Sequence, residues 1–176
     1  MLDIRVLERI TQPGTPRRFN AAPGQQIAIG EGRHARWGLL SPWRGHGGVR
    51  PPPILTAPLA SIEATPVLRR GKACLVPLDG FFAKTKVGKN VHAWWIHGAA
   101  AVRGVLATSK DDGIASVALV TVPAPAAIAA YTARVFATEG EVMWRAREVS
   151  RWFEDVVHDD EQCIAGLGNP AQGELF

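Results

Sequence analysis

Nucleophiles and metal ligands are sparse in this sequence, and their spacing decides what they can do. Cys74 lies in "KACLVPLDGFF", an apolar strand-like run with no flanking histidine or acid to lower its pKa, so it reads as a structural thiol rather than a nucleophile. Cys163 stands in unlike surroundings; the two form neither a disulfide framework nor a CxxC knuckle, and both read as free thiols. His92 and His97 flank "AWWI", and a spacing of five matches neither one helix face nor one strand face, which argues against a shared metal. His34 and His46 sit among arginines, where repulsion disfavours a divalent cation. Asp111 and Asp112 precede Gly113 in "SKDDGIA" and read as a hairpin turn rather than a catalytic pair. No metal and no cofactor is expected.

What remains is basic and aromatic. Residues 1–110 carry 16 Lys+Arg against 5 Asp+Glu, and residues 111–176 carry 4 against 11, so the two segments stand at +11 and −7 within a total of +4. The basic residues cluster at Arg17 and Arg18, Arg33 to Arg36, Arg44 to Arg50, Arg69 to Lys72 and Lys84 to Lys89. Cations neutralise phosphates and aromatic faces accept stacked bases, so these clusters suit single-stranded nucleic acid; a solvated basic surface explains them equally well. Trp43, between Pro42 and Arg44, is the strongest stacking candidate.

The elements that must position these residues are mostly short. Eighteen glycines and 13 prolines separate apolar runs, which favours strands and loops. Strands are predicted over Ile4–Ile10, Gln26–Ile29, Ala35–Leu39, Ala73–Pro77, Gly80–Ala83, Val91–Ile96, Val102–Ala107 and Ser116–Thr121. "TEGEVMWRAREVSRWFEDVV" predicts a helix, because Thr138 and Glu141 can form a capping box and Val142, Ala146, Val149, Phe153 and Val156 recur at three- and four-residue steps. A shorter Ala-rich helix is predicted over Pro125–Ala133. "SPWRGHGGVRPPP" predicts a long exposed loop. A length of 176 residues fits one domain, spanning 1–176, and no apolar run approaches the ~18 residues of a membrane span. The N-terminal segment lacks the zones of a secretory signal, so a cytoplasmic protein is expected.

Four ordered blocks resemble the SOS-response-associated peptidase (SRAP) family. "RFNAAPGQQ" resembles its Arg-Tyr-Asn-x-Ala-Pro signature, "RWGLLSPW" its Trp-Gly-Leu-x-Pro-x-Trp segment, "RRGKACLVPLDGFF" its Arg-Cys-Leu-x-Pro-x-x-Gly-Phe-Tyr block and "ALVTVPA" its strand ending in paired threonines. The helix expected around Trp152 is similar to a late Trp-containing helix of the family, and "GNPAQGEL" resembles its terminal Pro-Glu-Leu segment. The resemblance implies an α+β fold: a bifurcated, mainly antiparallel, partly barrel-like β-sheet surrounded by helices.

The family's chemistry uses an N-terminal cysteine whose amine and thiol capture the aldehyde of an abasic site in single-stranded DNA, assisted by an acid/base and by groups that hold sugar and phosphate. Here the second residue is Leu2. Thr56, Pro58 and Ala60 in "TAPLAS" stand at the family's asparagine, arginine and glutamate. Ala83 stands at the catalytic glutamate in "GFFAK", and Tyr131 stands at the histidine in "YTARV", with Arg134 near the second basic position. All the catalytic positions are therefore lost, and the resemblance implies a degenerate member without catalytic residues that binds single-stranded DNA non-covalently.

Candidate DNA contacts are Arg18, Asn20, Trp37, Trp43, Thr56, Thr121 and Arg134. Plainer roles are open to several of them: Asn20 can form a turn, Thr121 can end a strand and Trp37 can be core. Two alternatives stand beside DNA binding. One is residual SRAP-type activity, abasic-site crosslinking or peptidase; the other is a protein-interaction paralogue, encoded by a phage or mobile element, whose acidic C-terminal segment contacts a basic partner or covers the basic groove.

Overall fold

The computed structural model describes residues 3–5, 9–42 and 46–167. Among these residues the chain forms thirteen strands: β1 (Asp3–Arg5), β2 (Ile10–Gln12), β3 (Arg18–Ala21), β4 (Gln26–Ile29), β5 (Arg33–Trp37), β6 (Thr56–Pro58), β7 (Lys72–Pro77), β8 (Gly80–Val87), β9 (Asn90–His97), β10 (Ala101–Thr108), β11 (Ala115–Pro123), β12 (Arg134–Phe136) and β13 (Arg145–Val149). The one α-helix among them, α1 (Pro66–Arg69), is a single turn.

The strands build two sheets. The first runs β13-β9-β8-β2-β3, with β1 also on β8; the second runs β4-β5-β11-β10-β7, with β6 and β12 also on β11. Pairing is antiparallel except where β5 and β6 lie parallel to β11. The apolar run of β11 is buried over six consecutive residues, Ser116–Thr121, as a central strand covered on both faces requires. Between the sheets, Phe81 meets Phe136 edge-on at 5.1 Å and Trp144 at 5.6 Å, and Trp37, Ile96 and Leu119 are fully buried around them. Gly80 is dictated by this packing, because a Cβ there would lie 2.3 Å from Trp95 Nε1. Gln12 ties the two layers together: its Nε2 donates to the carbonyls of Ala28 at 2.9 Å and Pro77 at 2.7 Å, and its Oε1 accepts from Ala28 N at 3.1 Å.

This architecture overturns the α+β expectation of a sheet surrounded by helices; the molecule is mostly β-sheet, curled into a half-barrel. The helix predicted over residues 138–157 does not form. Residues 145–149 instead pair with β9 as an edge strand, with Arg145 opposite His97 and Val149 opposite Ala93. In that register Arg145 and Arg147 are exposed and Ala146 and Glu148 are half-buried on the opposite face, while Val149, on the arginine face, is buried at the strand's end. The capping box also fails, because Thr138 Oγ1 donates to the Gly140 carbonyl rather than accepting from a first-turn amide. Residues 126–131 are turns rather than a helix, closed by Ile128 N to the Pro125 carbonyl at 3.1 Å and Tyr131 N to the Ile128 carbonyl at 2.9 Å. The "DDG" hairpin turn does form between β10 and β11, with Gly113 at φ 69° and Ser109 N bonded to the Ile114 carbonyl. Among the described residues no helix is long and apolar enough to cross a membrane.

Candidate nucleic-acid interface

The candidate residues divide between the two sheets. On the second sheet, Thr121 and Arg134 are brought together: Arg134 Nε donates to Thr121 Oγ1 at 2.9 Å, and its Nη2 donates to the Thr121 carbonyl at 3.0 Å. Their strands pair antiparallel, with Thr121 opposite Phe136 and Pro123 opposite Arg134, so the guanidinium reaches back diagonally across the ladder. Thr56 lies on the other side of β11, opposite Leu119, two register positions from the Thr121–Pro58 pair. Thr121 is buried and its hydroxyl is used by Arg134, so the pair works first as a cross-strand clamp.

On the first sheet, Arg18 and Asn20 belong to β3 and face the acidic C-terminal segment. Arg18 Nε donates to Asp159 Oδ2 at 2.6 Å, with side-chain exposures of 32% and 29% that leave the pair open to solvent. Asn20 is fully buried. Its Nδ2 lies 2.9 Å from the Phe153 carbonyl, 3.0 Å from that of Asp155 and 2.8 Å from that of His158. It clasps residues 153–158 against β3, so its expected role as a DNA contact is corrected to a structural one. Phe153 seals the same junction, stacked on Phe82 at 4.2 Å, and Lys84 Nζ donates to Glu154 Oε1 at 3.0 Å. Burial raises the Glu154 pKa, but the hydrogen bonds from Arg151 and Lys84 outweigh it and hold the carboxyl below its ordinary value.

Trp37 is likewise core: it is fully buried, and its Nε1 donates to the Leu55 carbonyl at 3.1 Å. Trp43 and Leu2 lie outside the described residues.

The positions where the resemblance puts an acid and a base are packed with hydrocarbon. Ala83 is 2% exposed and pairs with Trp94 across the β8–β9 ladder, and the Trp94 ring lies 4.4 Å from that of Tyr131. Trp94 Nε1 is itself satisfied by Thr85 Oγ1 at 2.9 Å. A site that dry would hold a carboxylate only at a large desolvation cost. Cys74 is half-buried against the core and burial pushes its thiol up, away from nucleophilic character; Cys163 is buried, and both are free. His92 Nδ1 lies 2.7 Å from Glu148 Oε1, while His97 stacks on Trp95 at 4.2 Å. Among the described residues no three His, Cys, Asp or Glu side chains converge as a metal would require.

Sequence reasoning reached the acidic half of this arrangement only as a segment able to cover the basic groove, without the residues that do it. Glu154 and Trp152 come from the segment read as a helix, and His158, whose ring stacks on that of Trp152 at 3.5 Å, and Asp159 follow it directly. It also missed a cleft of about 780 Å³ beneath α1, whose rim mixes Arg33, Arg69 and Arg103 with Glu31, Glu63 and Glu139 and so carries no clear charge preference. Exposed cations among the described residues include Lys72, Lys86, Lys89 and Arg103, and Arg33, which pairs with Glu31 at 3.6 Å.

No protein-family model matches the chain, and no curated protein sequence matches it. Among solved structures, a crystal structure of a Bacteroides thetaiotaomicron protein from a structural-genomics programme matches with a TM-score of 0.64 at 15% identity, covering 81% of this chain and 82% of that one. A Bordetella bronchiseptica protein from the same programme matches with a TM-score of 0.44 at 14% identity, covering 83% of this chain and 69% of that one, too low for a shared fold to be argued. The chain therefore shares the fold of the Bacteroides protein over four-fifths of both chains, and the likeness extends to the fold alone.

Proposed function

We propose that this chain is a catalytically silent SRAP-like protein that binds single-stranded DNA non-covalently, in the setting of the DNA-damage response. The observation that carries the reading is the segregation of charge, +11 over residues 1–110, with Arg33, Lys72, Lys86, Lys89 and Arg103 on the surface. Polyanion affinity follows from such a surface by counterion release. Silence follows from the replacement of the family's acid and base by Ala83, which pairs with Trp94, and by Tyr131, which packs on the same indole.

The test is fluorescence anisotropy of a labelled oligonucleotide across a salt series, paired with denaturing electrophoresis after incubation with an abasic oligonucleotide. Binding at low salt that falls log-linearly with salt, without a denaturation-resistant band, is expected. Absence of binding at low salt refutes DNA recognition, and a heat-stable band formed without borohydride refutes catalytic silence.

A further inference from the structure

Along β2 and β3 the register slips by one residue: Ile10 faces Ala21, but Gln12 faces Arg18, so Phe19 and Asn20 together oppose Thr11. Consecutive N–H groups of a regular strand point to opposite edges, and an extra residue of this kind can turn two of them the same way. Both amides do point together. Phe19 N and Asn20 N donate to the same oxygen, Asp159 Oδ1, the latter at 2.9 Å, while Arg18 Nε takes Asp159 Oδ2 at 2.6 Å. Two adjacent main-chain amides and a guanidinium closing on one group form an oxyanion cradle, the donor set that also suits a phosphate.

The cradle does not depend on its occupant. Arg18 is held independently, its Nη2 donating to Gln25 Oε1 at 2.9 Å and its Nη1 to the Gln26 carbonyl at 3.4 Å. The segment that brings the carboxylate is anchored elsewhere, by the three carbonyls on Asn20 and by buried Phe153 and Cys163. Only the Asp159 side chain has to swing out for another anion to enter. Asp160, the next carboxylate, already accepts from Gln162 N at 2.9 Å and from Trp152 Nε1 at 3.3 Å. Asp155 Oδ1 likewise accepts from Val157 N at 3.1 Å. Aromatic surface flanks the site: Phe19 under the Arg17 guanidinium, and half-exposed Trp152 stacked on His158.

We infer that this cradle is a phosphate site for single-stranded DNA and that Asp159 is its displaceable internal occupant, a carboxylate in the place of a backbone phosphate. The inference rests on the DNA-binding reading above and adds to it a masked contact. Removing the carboxylate exposes Arg18 and the two amides to DNA, so Asp159→Ala binds a labelled oligothymidylate several-fold more tightly than wild type. Its log–log salt slope steepens by about 0.7, the increment for one further phosphate on a single strand. Adding Arg18→Ala cancels both gains.

Because Asp159→Ala can also loosen the fold, Asp159→Asn, which keeps an acceptor for the amides, is measured beside it with melting curves. In the wild-type protein the Phe19 and Asn20 amide resonances must shift on titration with the oligonucleotide. Unchanged or weaker binding by both Asp159 variants while they remain folded, or amide resonances that stay still at saturation, overturns the inference while leaving DNA binding intact. If no variant binds DNA at low salt, the functional reading falls. A shift of the same two amides in Asp159→Ala on adding inorganic phosphate then keeps the anion cradle, and no shift ends that too.

Discussion

Replacing Asn20 with alanine separates a clasp from a ligand contact. The side-chain amide faces three carbonyls, those of Phe153, Asp155 and His158, at 2.8–3.0 Å. The NH2 has two hydrogens to share among these carbonyls, so truncation leaves the Phe153 acceptor buried, at about 1–3 kcal/mol, and forfeits about 0.5–1.5 kcal/mol at one further bond, which water can partly re-satisfy. A loss of about 3 kcal/mol is expected, which for a chain of this size lowers the melting midpoint by roughly 6–12 °C. Scanning calorimetry or thermal circular dichroism reads the shift, and amide exchange of residues 153–159 shows whether that segment loosens first. DNA affinity measured well below the melting point should change little. If Asn20→Ala melts within about 1 °C of wild type and loses DNA affinity instead, the clasp is wrong and the residue touches the ligand.

Two further outcomes follow from buried groups. Ala83→Glu, which restores the family's acid, puts a carboxylate against Trp94 in a dry site and should destabilise by several kcal/mol in urea titration while still giving no adduct with abasic DNA; wild-type stability together with an adduct would refute the packing argument. His97 is held below its ordinary pKa by burial and then by Arg147 and Arg145, against an opposing pull from Asp79. Its contribution is complete above the unfolded value near pH 6.5 and is lost as pH falls through the lower folded value, so the urea midpoint should drop as pH falls below about 6.5 and do so less in His97→Asn.

The strands were legible because their signals are local. The β-branched run of β11 and the Asp-Asp-Gly turn before it each specify a conformation within ten residues. The segment after Thr138 was not, because its apolar residues recur at helical steps, and the partner that makes it a strand, β9, lies some fifty residues earlier. Asn20 and Trp37 were singled out as ligand contacts, yet a fold-building amide and a buried indole carry the same sequence signal as functional ones. Arg18 reads as a free cation in sequence, since the carboxylate that occupies it is 141 residues away. The packing of Tyr131 on Trp94 across the Ala83 position likewise needs three separate stretches of chain to meet.

The clasp between Asn20 and residues 153–158 also sets a schedule for the chain as it is made. The shortest of its three links spans 133 residues, so at synthesis rates of about 5–20 residues per second β3 waits roughly 7–27 s for its partner. From the time it is made until residue 153 follows, Phe82 lacks the ring that covers it, and the amides of Phe19 and Asn20 lack their acceptor until Asp159. The second sheet, from β4 through β12, can be assembled earlier because all its strands precede residue 137. A nascent chain paused before residue 153 would therefore present a finished sheet beside an open one, and the open one is where a protease or a chaperone would take hold.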